Sequence, residues 1–182
     1  MVQREFLLRV IDTLEQLNIP YAITGAWAVS AYGIPRTTHD LDVIVRMQRS
    51  DVHLLAAAYP PPYYADEEMM HNALTHGSVF NIIDPTTGLK VDFWPLRDDA
   101  YAREQFSRRR QVEIAGRNVW VLAPEDVILS KLLWYKLSPS DKQWADIQAV
   151  WEARDEHFDA NYLENWAVRL SVADLLEKAK ES

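Results

Sequence analysis

The stretch TGAWAVSAYGIPRTTHDLDVIV, residues 24–45, places two aspartates one residue apart inside an apolar run that has the pattern of a strand. Aspartate is depleted from strands, because its short polar side chain competes for backbone hydrogen bonds and fits poorly on a half-buried pleated surface. On a strand, Asp40 and Asp42 would point to one face while Leu41 points to the other. Two adjacent carboxylates repel each other, so a cation is expected between them, and oxygen ligands with bound water are those that Mg²⁺ prefers.

A second apolar segment, LKVDFW at residues 89–94, carries another isolated aspartate. Because its apolar neighbours call for burial, Asp92 is expected on a strand beside the first pair, where it would supply the third carboxylate of a magnesium site. Lys90 lies two residues earlier and therefore on the same face of that strand. The sequence thus predicts three aspartates and a lysine on one face of a sheet.

A glycine precedes the aspartate pair at the start of a predicted helix. Gly25 follows a short predicted strand and opens a helix of small and apolar residues over 26–32. The first turn of a helix presents unpaired N–H groups and the positive end of the helix dipole, and both favour phosphate binding. Metal ions held by the aspartates would bridge the phosphates of a nucleoside triphosphate and activate an attacking hydroxyl. These residues therefore point to phosphoryl or nucleotidyl transfer.

The remaining pattern predicts an α+β fold, a mixed sheet flanked by helices with a helical C-terminal part. An amphipathic helix is predicted at the N-terminus, and two hairpins are indicated by the turn sequences PTTG and AGRN. We expect a catalytic core over residues 1–123 and a C-terminal helical region over 124–182 packed on it. The predicted helices are 2–17, 26–32, 50–58, 65–74, 123–137, 140–154, 159–170 and 171–181, and the predicted strands are 21–23, 41–45, 78–84, 89–96 and the hairpin 111–122.

Composition limits the classes of function. The chain has 182 residues, no cysteine and a formal net charge of −8, so disulfides, thiolate metal sites and a bulk attraction to nucleic acid are excluded. No apolar run reaches the roughly 20 residues of a membrane helix, and we expect a soluble cytoplasmic protein with no membrane partner. A run of arginines, at 103, 108–110 and 117, indicates either a solvated charged face or a local polyanion site.

Three segments together resemble the nucleotidyltransferase superfamily with its polymerase-β-like core: Gly25, the segment IPRTTHDLDVIV, and GLKVDFW. The pattern of that superfamily is a Gly-Gly or Gly-Ser turn, an Asp-x-Asp pair and a distant third Asp. The segment APEDVILSKLLWYKLSPSDKQWADIQAVW is also similar to one in small bacterial nucleotidyltransferase-like proteins related to AbiEii-type toxins of toxin-antitoxin systems. Together the resemblances cover residues 22–151.

The resemblance implies a role for each matching residue. Asp40 and Asp42 would be ligands of Mg²⁺, with two ions when the nucleoside triphosphate is bound, and Asp92 would help to activate the acceptor hydroxyl. Asp146 matches an acidic residue of the C-terminal motif, whose expected task is to orient a lysine through a buried ion pair. The implied nucleotide-binding residues are Gly25, Ala26, Arg36, Thr38 and Lys131, and Asp146 and Lys90 have supporting roles.

One position departs from the superfamily pattern. Ala26 stands where Gly or Ser is usual, so the hydroxyl that could bond to a phosphate is missing, and Ser30 lies one turn further along the helix. Backbone N–H groups can still bind phosphates there. Trp27, beside the glycine, is a candidate wall of the nucleotide pocket, whereas the tryptophans of the C-terminal helices, such as Trp134, are expected to pack in the core.

Three hypotheses follow for the function. The first is a Mg²⁺-dependent, ATP-binding or other NTP-binding nucleotidyltransferase that transfers a nucleoside monophosphate to a hydroxyl of tRNA or protein, as a toxin with an antitoxin partner would. The second is a nucleotidyltransferase acting on an aminoglycoside-like small molecule, and the acidic chain suits a cationic acceptor. The third is a degenerate, non-catalytic protein that binds a nucleotide and regulates a partner.

Overall fold

A computed structural model describes residues 2–33, 38, 40–114 and 116–181 of the chain. In this described part, seven strands form one mixed sheet, and helices pack against it, which confirms the predicted fold class. The strands are β1 (Tyr21–Thr24), β2 (Asp40–Val45), β3 (Tyr64–Ala65), β4 (Phe80–Asp84), β5 (Leu89–Pro95), β6 (Arg110–Ile114) and β7 (Arg117–Val121).

The helices follow the predicted pattern closely, with one addition at residues 100–107. Ser140 and Asp159 each cap the helix that follows, because their side chains accept hydrogen bonds from backbone N–H groups of its first turn. Within the described residues, no helix combines the length and the apolar character that a membrane span requires. The helices are α1 (Val2–Gln16), α2 (Gly25–Tyr32), α3 (Asp51–Ala57), α4 (Glu67–His76), α5 (Ala100–Ser107), α6 (Pro124–Leu137), α7 (Asp141–Glu152), α8 (Ala160–Arg169) and α9 (Ala173–Glu181).

The strand order is β3-β4-β5-β2-β1-β7-β6, which places β2 between β5 and β1 in the middle of the sheet. β2 runs parallel to β5 and antiparallel to β1. The two predicted hairpins are formed by β4 with β5 and by β6 with β7, both antiparallel. The strands that carry the predicted aspartates are therefore direct neighbours.

Alternate residues of β2 and β5 face different surroundings. Leu41 and Val43 are 2% and 0% exposed. Asp40 and Asp42, which alternate with them along the strand, retain access to solvent. This alternation follows from the two-residue period of a strand. The apolar residues belong to the core, and Leu41 lies with Phe6 of α1 around a small cavity. The aspartates consequently occupy the other face.

Two elements were absent from the sequence-based expectation, α5 and β3. α5 begins after Asp99, whose side chain caps it by accepting a hydrogen bond from Ala102 N–H, and it buries one short face that includes Phe106. β3 has two residues that pair with β4 directly after a proline-rich loop, and so short an edge strand leaves no periodic pattern. The division of the chain at residue 124 stays a prediction, although α6 does begin at Pro124 as expected.

The arginine run makes contacts within this chain. Its members lie against carboxylates or aromatic rings; Arg103 is exposed, and the others are half-buried. The pairs are Arg103 with Asp98, Arg109 with the rings of Phe106 and Trp120, Arg110 with Glu125, and Arg117 with Asp12 and Glu15.

Arg108 joins the start of α6 to α8 through a buried ionic cluster. Its guanidinium lies 3.5 Å from Glu125 Oε2 and 3.8 Å from Asp126 Oδ2, and both carboxylate side chains are 0% exposed. The same guanidinium covers the ring of Tyr162 at 3.7 Å, and the Tyr162 hydroxyl donates to Asp126 Oδ1 at 2.8 Å. Burial raises the pKa of Asp126 to about 7, against the opposing effects of the Tyr162 hydrogen bond and the Arg108 charge.

Candidate active site

The register of β2 and β5 brings the predicted acidic residues together. Asp42 lies opposite Asp92, and Asp40 lies opposite Lys90, on strands whose backbones are about 4.8 Å apart. Because residues i and i+2 share a face, these four side chains project from the same side of the sheet. The arrangement that the sequence predicts for the three aspartates and the lysine is therefore present.

Asp42 lies at the centre of this group, in contact with the start of α2. Trp94, two residues after Asp92, donates its indole N–H to Asp42 Oδ1 at 3.3 Å. Burial raises the pKa of Asp42, and the charges of Asp92 and Asp40 act in the same direction, while the Trp94 hydrogen bond and the charge of Lys131 lower it. A carboxylate in these surroundings would be stabilised by a further cation.

Lys90 forms the ion pairs of the outer part of the site. Its Nζ lies 2.7 Å from Asp92 Oδ2 and 3.9 Å from Asp40 Oδ1. The hydrogen bond to Asp92, followed by the charges of Asp92 and the other aspartates, raises the pKa of Lys90. The side chain of Asp92 is 17% exposed, that of Lys90 33% and that of Asp40 57%, so the site opens to solvent on the Asp40 side.

Gly25 begins α2 directly against the Asp42 carboxylate. Its φ is +62°, a conformation that favours glycine, and a Cβ atom there would lie 2.1 Å from Asp42 Oδ2. Thr24, which precedes the helix, makes no capping hydrogen bond through its side chain. The first N–H groups of α2 are consequently not capped by Thr24 and lie beside the acidic group.

Replacing Gly25 with alanine is expected to displace Asp42. It should therefore reduce any metal-dependent activity strongly, in addition to lowering stability. The added methyl group would overlap the carboxylate, and the left-handed backbone would add roughly 1–2 kcal/mol of strain. Gly77→Ala is the matched control, because Gly77 has φ +66° with no atom within 4 Å of the added Cβ. The temperature of thermal unfolding should fall in both variants, whereas activity should fall only in Gly25→Ala. Equal activity losses would contradict the contact.

Lys131 and Asp146 form the predicted buried ion pair between α6 and α7. Lys131 Nζ lies 2.8 Å from Asp146 Oδ2, and the side chains are 13% and 5% exposed. Lys131 also lowers the pKa of Asp42 through its charge, which places it within electrostatic reach of the aspartates. The pair therefore holds a cation on the helical side of the site.

The aromatic residues of the site differ from the sequence-based expectation. Trp94 packs edge-on against Trp134 of α6, with ring centroids 6.0 Å apart, and Trp134 is 48% exposed. Trp134 is thus not a core residue, and through Trp94 it is one contact away from Asp42. Trp27 instead lines the small cavity beside Phe6 and Leu41, on the opposite side of β2. The alternation KVDFW around Asp92 could have identified Trp94, but Trp134 carries no comparable signal.

Three further residues were assigned to nucleotide binding by the resemblance: Thr38, Ala26 and Arg36. Thr38 bonds through its hydroxyl with the backbone of Asp40 and so fixes the start of β2. Ala26 is buried in the first turn of α2, and the hydroxyl of Ser30 donates to its carbonyl oxygen at 3.0 Å, within the helix. Arg36 lies outside the described residues, so its predicted phosphate contact stays a prediction.

The acidic group fits a magnesium ion in its chemistry but is not arranged around one. Three carboxylates with solvent access are suitable ligands for a hard divalent cation, and Asp42 sits among like charges. Among the residues that the structure describes, however, no three acidic or histidine side chains converge as a set of metal ligands. Asp40 and Asp92 are turned towards Lys90 instead.

The chain has the fold of the nucleotidyltransferase superfamily, as the sequence predicts. The family model for aminoglycoside-2''-adenylyltransferase matches residues 6–59, less than a third of the chain, which include most of α1, all of α2 and the Asp-x-Asp pair. A search of curated protein sequences gives no significant match.

Similar solved structures cover nearly the whole chain at low identity. The solution structure of the antibiotic-resistance factor ANT(2'')-Ia is 18% identical, with a TM-score of 0.63 over 100% of this chain and 98% of that one. A nucleotidyltransferase-like antigenic protein from Paracoccidioides brasiliensis is 18% identical, with a TM-score of 0.57 over 97% and 91%. The lincomycin-bound lincosamide adenylyltransferase LnuA is 13% identical, with a TM-score of 0.52 over 81% and 96%. These similarities establish the fold.

Proposed function

We propose that this protein is a metal-dependent nucleotidyltransferase that transfers the adenylyl group of ATP to a hydroxyl of a small cationic acceptor. The observation that carries the proposal is the placement of Asp40, Asp42 and Asp92 on one face of two adjacent parallel strands, with Asp42 against the glycine that begins α2. This placement joins carboxylate ligands to a phosphate-binding helix start.

The three aspartates are the residues that would hold Mg²⁺, with two ions when ATP is bound. The metal would neutralise charge on the phosphates and lower the pKa of the acceptor hydroxyl. Asp92 is less exposed than Asp40 and is our candidate for accepting the hydroxyl proton, since it lies at the inner part of the site. Asp42 is positioned by its contacts with Gly25 and Trp94, and it would keep the bound metal aligned with the phosphates.

The triphosphate would lie between the start of α2 and Lys131. The first N–H groups of α2 can donate to phosphate oxygens even though Ala26 lacks a hydroxyl. Lys131, oriented by Asp146, adds a positive charge on the α6 side. In this proposal, backbone N–H groups and Lys131 bind the phosphates, and the serine hydroxyl that is usual at the position of Ala26 is not needed.

A small cationic acceptor is favoured over tRNA or protein. The chain has a net charge of −8, and the side chains of the arginine run make ion pairs within the chain. A crystal structure of ANT(2'')-Ia contains adenylyl-2''-tobramycin, and that of LnuA contains lincomycin. Nothing in these comparisons supports an antitoxin partner, so the toxin hypothesis carries less weight than the small-molecule one.

Trp134→Ala is expected to raise the KM for the acceptor roughly threefold to tenfold and to leave kcat nearly unchanged. The exposed ring beside Trp94 offers an apolar and π surface to the acceptor, and a stacking contact of this kind is worth on the order of 1 kcal/mol. Val168→Ala, at a 67% exposed position on α8, is the control and should change neither constant. An unchanged KM in Trp134→Ala would remove Trp134 from the acceptor site.

The proposal is tested by following the label of α-labelled ATP in the presence of Mg²⁺. The acceptors compared are an aminoglycoside such as tobramycin, a lincosamide such as lincomycin, total tRNA and a protein lysate. We expect label on a small molecule. Label on tRNA or on a protein would contradict the proposed small-molecule acceptor but support nucleotidyl transfer. ATP binding without transfer to any acceptor would favour a non-catalytic nucleotide-binding protein.

A further inference from the structure

The ammonium of Lys90 lies in the acidic group at hydrogen-bonding distance from Asp92. Its Nζ is 2.7 Å from Asp92 Oδ2 and 3.9 Å from Asp40 Oδ1, so one positive charge lies between two of the three carboxylates. A magnesium ion bound to either carboxylate would lie about 2.1 Å from its oxygen. The ion and the ammonium would then be close neighbours of the same charge and would repel each other.

The strand register fixes this position. Lys90 lies opposite Asp40 and two residues before Asp92, so its side chain emerges on the face that carries all three aspartates. The ammonium is thus part of the acidic group itself.

Two lysines near the aspartates differ in their freedom to move. Lys131 is 13% exposed and paired with the 5% exposed Asp146, so it is held between two helices. Lys90 is 33% exposed, and its partners Asp92 and Asp40 are 17% and 57% exposed. A long, flexible side chain at the solvent side of the group can turn outwards.

We propose that Lys90 is a displaceable internal counter-ion that neutralises the carboxylates in the metal-free protein and must leave them when a metal binds. This inference rests on the proposed metal-binding role of the three aspartates. It explains why the acidic residues are present while no three of the described acidic or histidine side chains are arranged as metal ligands. Lys90 consequently weakens binding of a metal ion alone and stabilises the metal-free site.

Lys90→Met tests the inference, because methionine keeps an unbranched side chain and removes the charge. Mn²⁺ binding, measured by calorimetry and by electron paramagnetic resonance without nucleotide, is expected to become on the order of tenfold tighter. Without metal, Lys90→Met should unfold at a lower temperature than the wild type, and saturating Mn²⁺ should remove or reverse that difference. Lys90→Arg retains the charge and should restore weak binding.

Lys180→Met is the control for the change in net charge, since Lys180 pairs with Glu164 and Glu177 away from the site. It should leave the Mn²⁺ affinity unchanged. Unchanged or weaker Mn²⁺ binding by Lys90→Met, while the wild type binds Mn²⁺, would overturn the role of Lys90 and leave the proposed function standing. Absence of Mn²⁺ binding by both proteins, with and without ATP, would overturn the inference and the metal-dependent function together.

Discussion

Asp42→Asn is expected to reduce nucleotidyl transfer on the order of a thousandfold or more without lowering stability. The substitution removes the carboxylate that lies against Gly25 and between the other aspartates, so metal and phosphate would no longer be aligned. Because burial raises the pKa of Asp42, its charged form costs folding free energy near neutral pH, and the neutral amide avoids that cost. Trp94 can still donate its indole hydrogen bond to the asparagine oxygen. Label transfer and urea unfolding measure the two effects.

Asp84→Asn provides the matched comparison on β4, which β5 separates from β2 in the sheet. Hydrogen bonds from Thr86 lower the pKa of Asp84, so the charged carboxylate stabilises the fold there. We expect Asp84→Asn to lower stability and to leave transfer unchanged, the opposite of the Asp42→Asn result. Retained transfer by Asp42→Asn, or loss of its fold, would contradict the assignment of Asp42 to the site.

Arg108→Met is expected to lower the free energy of unfolding by about 3–5 kcal/mol at neutral pH. It leaves the 0% exposed carboxylate of Asp126 without its guanidinium partner, and it leaves that of Glu125 with Arg110 alone. Since the pKa of Asp126 is already raised, protonation relieves part of the cost on acidification. The deficit should therefore be smaller at pH 5 than at pH 8 in urea unfolding experiments.

Arg103→Met is the corresponding surface control. Arg103 is 56% exposed and pairs with Asp98, which is 94% exposed, and an exposed ion pair contributes no more than about 1 kcal/mol. The two arginines lie five residues apart in sequence, so their different effects would reflect burial. A loss of similar size in both variants, or a deficit for Arg108→Met that does not change with pH, would contradict the buried cluster.

Much of the site follows from local sequence rules. The two-residue period of a strand places Asp40 and Asp42 on one face and explains why Lys90 and Asp92 share theirs. A glycine before a helix of small residues indicates the tight approach at Gly25. These features depend on backbone geometry within a few residues, and the pattern of residue types reports that geometry directly.

The remaining features depend on contacts between distant segments. Trp134 reaches the site because α6 packs beside Trp94, and no residue near Trp134 in the sequence signals that contact. The same applies to Arg108, whose role is set by the carboxylates of α6 and by Tyr162 of α8. The strand period predicts that Lys90 and Asp92 share a face, but the ion pair between them depends on side-chain conformations that the sequence pattern does not give.

The most direct test of the central claim is intact-mass analysis of tobramycin after incubation with ATP, Mg²⁺ and the protein. The wild type is expected to give an acceptor carrying one adenylyl group, with release of pyrophosphate, and Asp42→Asn should give none at equal protein concentration. Equal product from both proteins would contradict the role of the aspartates. Absence of an adduct on every aminoglycoside and lincosamide offered to the folded wild type would contradict the proposed small-molecule nucleotidyltransferase.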